Sequence, residues 1–244
     1  MRLKEFLSRI LTFGLYDPKW RCNVCGKEIF GEEYFCKECY DNLPFNDKTF
    51  CQHCGRETDE ATDYCLTCKG FMVSVDAARS VFTYKKPINS LIKKAKYGNG
   101  KYLLSAFAET LSYLYFKNSF NADVVCFVPM TEKRKRKRGY NQSEELATRL
   151  SEIIKVPVTD CLVKSRETER QAKLGKADRK ENLKGSFKVS DKKSVNGKTV
   201  LLVDDVTTTG ATAETLAETL KKAGAVKVYL LTVASVPAKK EIKT

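Results

Sequence analysis

The chain has 244 residues, 42% of them hydrophobic and 30% charged, with a formal net charge of +14. That length accommodates one α/β domain of roughly 150 residues with a smaller module ahead of it. With neither a run of about 18 apolar residues nor a leader ending in a small-residue cleavage site, the chain reads as cytoplasmic rather than membrane-spanning or secreted. The charge is divided unevenly: residues 1–75 hold 10 Lys and Arg against 12 Asp and Glu, net −2, whereas residues 76–244 hold 34 against 18, net +16. A basic field of that size attracts polyanions, either nucleic-acid backbone or a phosphorylated small molecule.

In chain order, Leu3, Phe6, Leu7, Ile10 and Leu11 fall at helical spacing among polar residues. They predict an amphipathic helix over 1–17 that packs on the rest of the protein or docks on a membrane surface or partner. Residues 18–72 contain four Cys-x-x-Cys pairs, Cys22/Cys25, Cys36/Cys39, Cys51/Cys54 and Cys65/Cys68. In a cytoplasmic chain such a pair chelates one side of a tetrahedral Zn²⁺, and a second pair closes the shell. The first knuckle of each set is followed by a glycine, Gly26 or Gly55, and ten residues separate the knuckles within each set. The spacing therefore predicts one zinc on Cys22, Cys25, Cys36 and Cys39 and another on Cys51, Cys54, Cys65 and Cys68. A cross-braced pairing of the first knuckle with the third remains open. A closed four-thiolate shell leaves no position for water or substrate, so both zincs are expected to be structural. His53, between Cys51 and Cys54, is expected to be exposed or to cap a backbone group, and Cys126 and Cys161 to be buried in the core.

Residues 73–240 predict an α/β domain. A buried strand over Ala122–Val128 leads into Pro129-Met130-Thr131 and a loop of six consecutive cations, Lys133 to Arg138. Gly139-Tyr140-Asn141-Gln142 then opens a helix running to about Ile154. Between Lys164 and Lys184 lies a polar stretch with 8 Lys and Arg against 4 Asp and Glu. From Val200 the chain reads Val-Leu-Leu-Val-Asp-Asp-Val-Thr-Thr-Thr-Gly-Ala-Thr, with a helical pattern from Ala213 to near Gly224. An apolar run passing into acidic and then small hydroxylated residues predicts a buried parallel strand, a phosphate-binding loop and a helix N-terminus. Backbone amides and hydroxyls of Thr208, Thr209, Gly210, Ala211 and Thr212 suit a phosphate. Asp204 and Asp205 suit ribose hydroxyls, directly or through Mg²⁺.

The stretch from Val200 to Thr212 resembles the phosphoribosyl pyrophosphate motif of type I phosphoribosyltransferases, with Thr207 where that superfamily usually carries an aliphatic residue. Arg138-Gly139-Tyr140-Asn141-Gln142 resembles the Arg-Gly-Phe-Asn-Gln signature of the ComF family. Arg166, Thr168, Gln171, Leu174, Arg179, Asn182, Gly185 and Phe187 resemble the loop that closes over substrate in the superfamily, and Lys96-Tyr97-Gly98 is a weaker match. The resemblance runs from about Arg21 to Val236. It implies a mostly parallel sheet with helices on both faces, preceded by a double zinc ribbon. Phosphoribosyl pyrophosphate would bind with Mg²⁺, its pyrophosphate near Pro129–Thr131 and gripped by Arg134 and Arg138. It also implies a role in natural competence, handling single-stranded DNA peripherally to the inner face of the membrane beside the DNA-uptake machinery. The competing expectation is a metabolic transferase acting on a base or amine. No hood that would read a base is recognisable, and no general acid or base can be assigned.

Overall fold

The computed structural model describes residues 21–29, 34–69, 72–97, 100–165, 183 and 185–238. The helix expected over 1–17, Gly98, and the expected motif positions from Arg166 to Asn182 lie outside them. In chain order the elements are α1 (Lys37–Asp41), β1 (Ala77–Thr83), α2 (Ile88–Tyr97), α3 (Leu103–Lys117), β2 (Val124–Phe127), α4 (Glu132–Arg138), α5 (Gln142–Ile154), β3 (Leu162–Lys164), β4 (Phe187–Val189), β5 (Thr199–Thr207), α6 (Ala211–Lys222) and β6 (Lys227–Ser235).

Four strands form a parallel sheet in the order β1-β6-β5-β2, and β3 pairs with β4 in an antiparallel ribbon. The strands are apolar at successive positions because both faces of the sheet are covered. Val125, Phe127, Leu201, Val203, Leu231 and Val233 pack with Leu104, Phe107 and Leu111 of α3 and with Leu146 and Leu150 of α5. Val124, Cys126, Val200, Leu202, Val228 and Leu230 face the other way, onto Leu216 and Leu220 of α6 and Phe187 of β4. This is the period of two expected for strands buried on both sides.

Local signals set the helix ends. Asn141 caps α5 by accepting from Ser143 N at 3.1 Å, and Glu144 and Glu145 sit in its first turn, where the helix dipole favours negative charge. The expected loop of cations from Lys133 to Arg138 is instead helix α4, capped by Gly139 at φ 89° and with no residue buried. A run of Lys and Arg has good helix propensity, and charge marks exposure without distinguishing loop from helix. Asp204 and Asp205 likewise lie within β5, because its register with β6 continues to Thr207↔Ser235.

The cysteine-rich segment straddles the edge strand β1. Cys22, Tyr34, Phe35, Leu43 and Phe45 join the core on the α3 side, while Cys51, Cys54, Cys65, Cys68 and Met72 join the core on the α6 side. Between them the chain bonds to the outer edge of β1: Asn46 N donates to Val81 O at 2.9 Å, Thr83 N to Pro44 O at 2.8 Å and Ala78 N to His53 O at 2.8 Å. An edge that would otherwise expose unpaired backbone groups is thereby closed. Cys126 and Cys161 are buried as expected, their sulfurs 3.7 Å apart.

Candidate functional site

Four sulfurs about 2.3 Å from a central zinc form a tetrahedron with edges of about 3.8 Å. Cys25 and Cys36 Sγ are 3.7 Å apart, Cys51 and Cys68 3.8 Å, Cys54 and Cys65 3.6 Å, and Cys65 and Cys68 3.7 Å. The sets are Cys22, Cys25, Cys36, Cys39 and Cys51, Cys54, Cys65, Cys68. Consecutive knuckles therefore pair, and the cross-braced alternative is excluded. All ligand positions are thiolates, so these sites are structural zinc sites. His53 stays outside the second set: its Nε2 lies 2.8 Å from Met72 O, and its ring stacks on Tyr64.

The second cluster forms at the C-terminal end of β5. Asp205 pairs with Lys96 of α2, and Asp204 Oδ1 accepts from Ser143 Oγ of α5 and from Asp205 N, each at 2.8 Å. Burial and the adjacent Asp205 charge push the Asp204 carboxyl up to about 7. Burial works against the Lys96 ammonium, but the Asp205 and Asp204 charges outweigh it and raise its pKa. Arg138 reaches the same region: its Nη2 donates to Tyr97 OH at 2.9 Å, Nη1 donates to Gln142, and the guanidinium lies over the Tyr97 ring. Of the two expected pyrophosphate arginines, Arg138 is thus placed against α2. Arg134 lies on the exposed surface of α4, one turn before Arg138.

Beyond Thr207 the chain bends through Thr208 and Thr209 to Gly210, the N-cap of α6 at φ 87°. Thr208 is exposed, Thr209 and Thr212 are half-buried, and Gly210 and Ala211 are buried. The first amides of a helix have no partner within it and carry its positive dipole end. Glu214, in the first turn of α6, accepts from Ser74 N at 2.9 and 3.1 Å and Val75 N at 3.4 Å, which ties the segment after the second cysteine set to the head of this helix. A Cβ added to Gly210 would lie 2.7 Å from Met72 Sδ and 3.3 Å from Arg56 Nη2. Ser143 and Arg56 were missed from sequence; Ser143 directly follows the Asn141-Gln142 signature, whereas no sequence signal links Arg56 to Gly210.

The chain matches the family model of the phosphoribosyl transferase domain over residues 136–243 and that of the double zinc ribbon domain over residues 14–69. It is 28% identical to competence protein F of Haemophilus influenzae over 86% of this chain and 95% of that one. It is 29% identical to the DNA utilization protein YhgH of Escherichia coli, over 86% and 94%, and 26% identical to competence protein ComFC of Bacillus subtilis, over 86% and 88%. Among solved structures, glutamine phosphoribosylpyrophosphate amidotransferase from B. subtilis overlaps 55% of this chain and 27% of its own, at 25% identity and a TM-score of 0.40.

Proposed function

We infer, for a ComF-type homologue that joins a double zinc ribbon to a phosphoribosyl transferase domain, a role in natural competence: handling incoming single-stranded DNA, with a phosphoribosyl pyrophosphate site in the same domain. The observation that carries the site is the Asp204–Asp205 pair, held between Lys96 and Ser143 immediately ahead of the Thr208–Thr212 turn. The 5-phosphate meets the amides of Thr208–Thr212 at the head of α6. The ribose hydroxyls meet Asp204 and Asp205, and the pyrophosphate is drawn to Lys96 and Arg138. The two carboxylates fit a Mg²⁺ that arrives with the ligand; when bound it neutralises pyrophosphate charge. Support for DNA handling comes from the net charge of +16 on residues 76–244 and from the names of the relatives. No helix among the described residues is long and apolar enough to cross a membrane, which accords with the cytoplasmic, membrane-peripheral placement we propose.

The competing reading is a transferase acting on a base or amine; the cavity of about 700 Å³ lined in part by Glu57, Tyr64, Leu66, Thr83, Tyr84 and Pro237 includes none of the residues from Asp204 to Thr212 and so does not mark an acceptor site beside them. Calorimetric titration of the zinc-loaded protein with phosphoribosyl pyrophosphate and Mg²⁺, beside an Asp204→Ala/Asp205→Ala variant, tests the site. Saturable binding lost in the variant is expected; no binding by the native protein refutes the phosphoribosyl reading. Release of pyrophosphate on adding candidate bases or amines distinguishes the transferase.

A further inference from the structure

Arg56 follows the knuckle Cys51–Cys54 directly after Gly55, and its side chain is enclosed: the residue is 2% exposed. Nε and Nη2 are buried without a hydrogen-bond partner. A guanidinium in that state loses its hydration without compensation, which proteins avoid unless something else fills the vacant donors. Nη2 points to the phosphate turn, 3.3 Å from where a Gly210 Cβ would stand. Arg79, the neighbouring cation on β1, is by contrast engaged, its guanidinium bonded to Gln52 O, Ala78 O and Asn118 Oδ1.

We propose that Arg56 of the second zinc ribbon is a ligand for the phosphate monoester bound at the Thr208–Thr212 turn, so that the ribbon completes the phosphate site of the transferase-like domain. The inference rests on the phosphoribosyl reading and adds to it a residue from a different module. Two features bring the partners together. Gly210 has no side chain, so the guanidinium approaches the turn closely. The Glu214 bonds to Ser74 N and Val75 N hold the segment leading out of the ribbon against the head of α6. An arginine offers paired donors to phosphate oxygens, complementing the backbone amides of the helix end.

The test is calorimetric titration of the full zinc-loaded chain with ribose 5-phosphate and, separately, inorganic pyrophosphate, for the native protein, Arg56→Met and Arg56→Lys. Zinc content and thermal midpoint are measured alongside. Arg56→Met is expected to bind ribose 5-phosphate about 10- to 100-fold more weakly, with Arg56→Lys intermediate. Pyrophosphate affinity and two zincs per chain are retained, and the ligand-free midpoint is unchanged or higher, since an unpaired buried charge has been removed. If the native protein and Arg56→Met bind ribose 5-phosphate equally, Arg56 is not a phosphate ligand while the phosphoribosyl reading stands. If Arg56→Met loses zinc or loses pyrophosphate affinity in parallel, Arg56 holds the ribbon together and the proposal fails. If the native protein binds neither ribose 5-phosphate nor phosphoribosyl pyrophosphate, both readings fall.

Discussion

Asp204, Asp205 and Lys96 show how three charges share one partly dry site. The Asp204 carboxyl, raised to about 7 by burial and by Asp205, binds its proton more tightly in the folded chain than in the unfolded one. Its contribution to stability is therefore complete below the unfolded value near 4 and is lost as pH rises through about 7. Urea unfolding of the native protein and Asp204→Asn should show the native protein losing stability relative to the variant between pH 5 and 8; a difference independent of pH would mean that Asp204 is ionised throughout. Comparison with the variant cancels zinc-thiolate protonation common to both proteins. Lys96 is the counter-charge, so Lys96→Met should cost about 3 kcal/mol at pH 8, with a smaller loss at pH 5 where Asp204 takes up a proton. Asp204 and Asp205 were legible in the sequence because paired acids after an apolar strand form a local pattern. Lys96, more than a hundred residues earlier, stood only in the weakest matching motif, and its partner was not evident there.

At the scale of elements, Gly26 and Gly55 occupy equivalent places in sequence, each directly after the second cysteine of a knuckle. Both have positive φ, 76° and 65°. Around Gly26 nothing lies within 4 Å of an added Cβ, whereas at Gly55 it would collide with Ala78 O and lie 2.8 Å from Arg79 Cα. Gly26→Ala should therefore cost about 1 kcal/mol, the left-handed backbone penalty alone. Gly55→Ala should cost more than about 2 kcal/mol by separating the second ribbon from β1. Thermal melts of the two variants with zinc bound make the comparison, and equal losses would contradict the close approach. The ribbons also supply residues to both core layers, Phe35 and Phe45 to one and Met72 to the other. Chelating zinc should consequently lower the midpoint of the helical signal as well as that of the ribbons; an unchanged helical transition would show that the modules are stable independently. The spacing of the knuckles predicted zinc binding but left their pairing open, because sequence order does not determine which pairs meet in space.

Over the whole molecule, the positive charge is concentrated after residue 75, and α4 presents Lys133, Arg134, Arg136 and Lys137 at the surface. Single-strand binding that uses these cations releases counterions. Arg136→Glu/Lys137→Glu, which removes two cations at about 0.7 each on a single strand, should reduce the slope of log affinity against log salt by about 1.4 while leaving phosphoribosyl pyrophosphate affinity unchanged; an unchanged slope would remove α4 from the proposed DNA-contacting surface. Taken by itself, the sequence determined the zinc ligands, the parallel-strand pattern, the turn ahead of α6 and the uneven charge, since each is written in residues close together in the chain. The tertiary structure alone decided that consecutive knuckles pair, that the two ribbons grip opposite faces at β1, that Lys96 meets Asp205 and that Arg56 meets Gly210. Those contacts join residues far apart in the chain, and packing and the satisfaction of buried charge select them without leaving a local pattern to read.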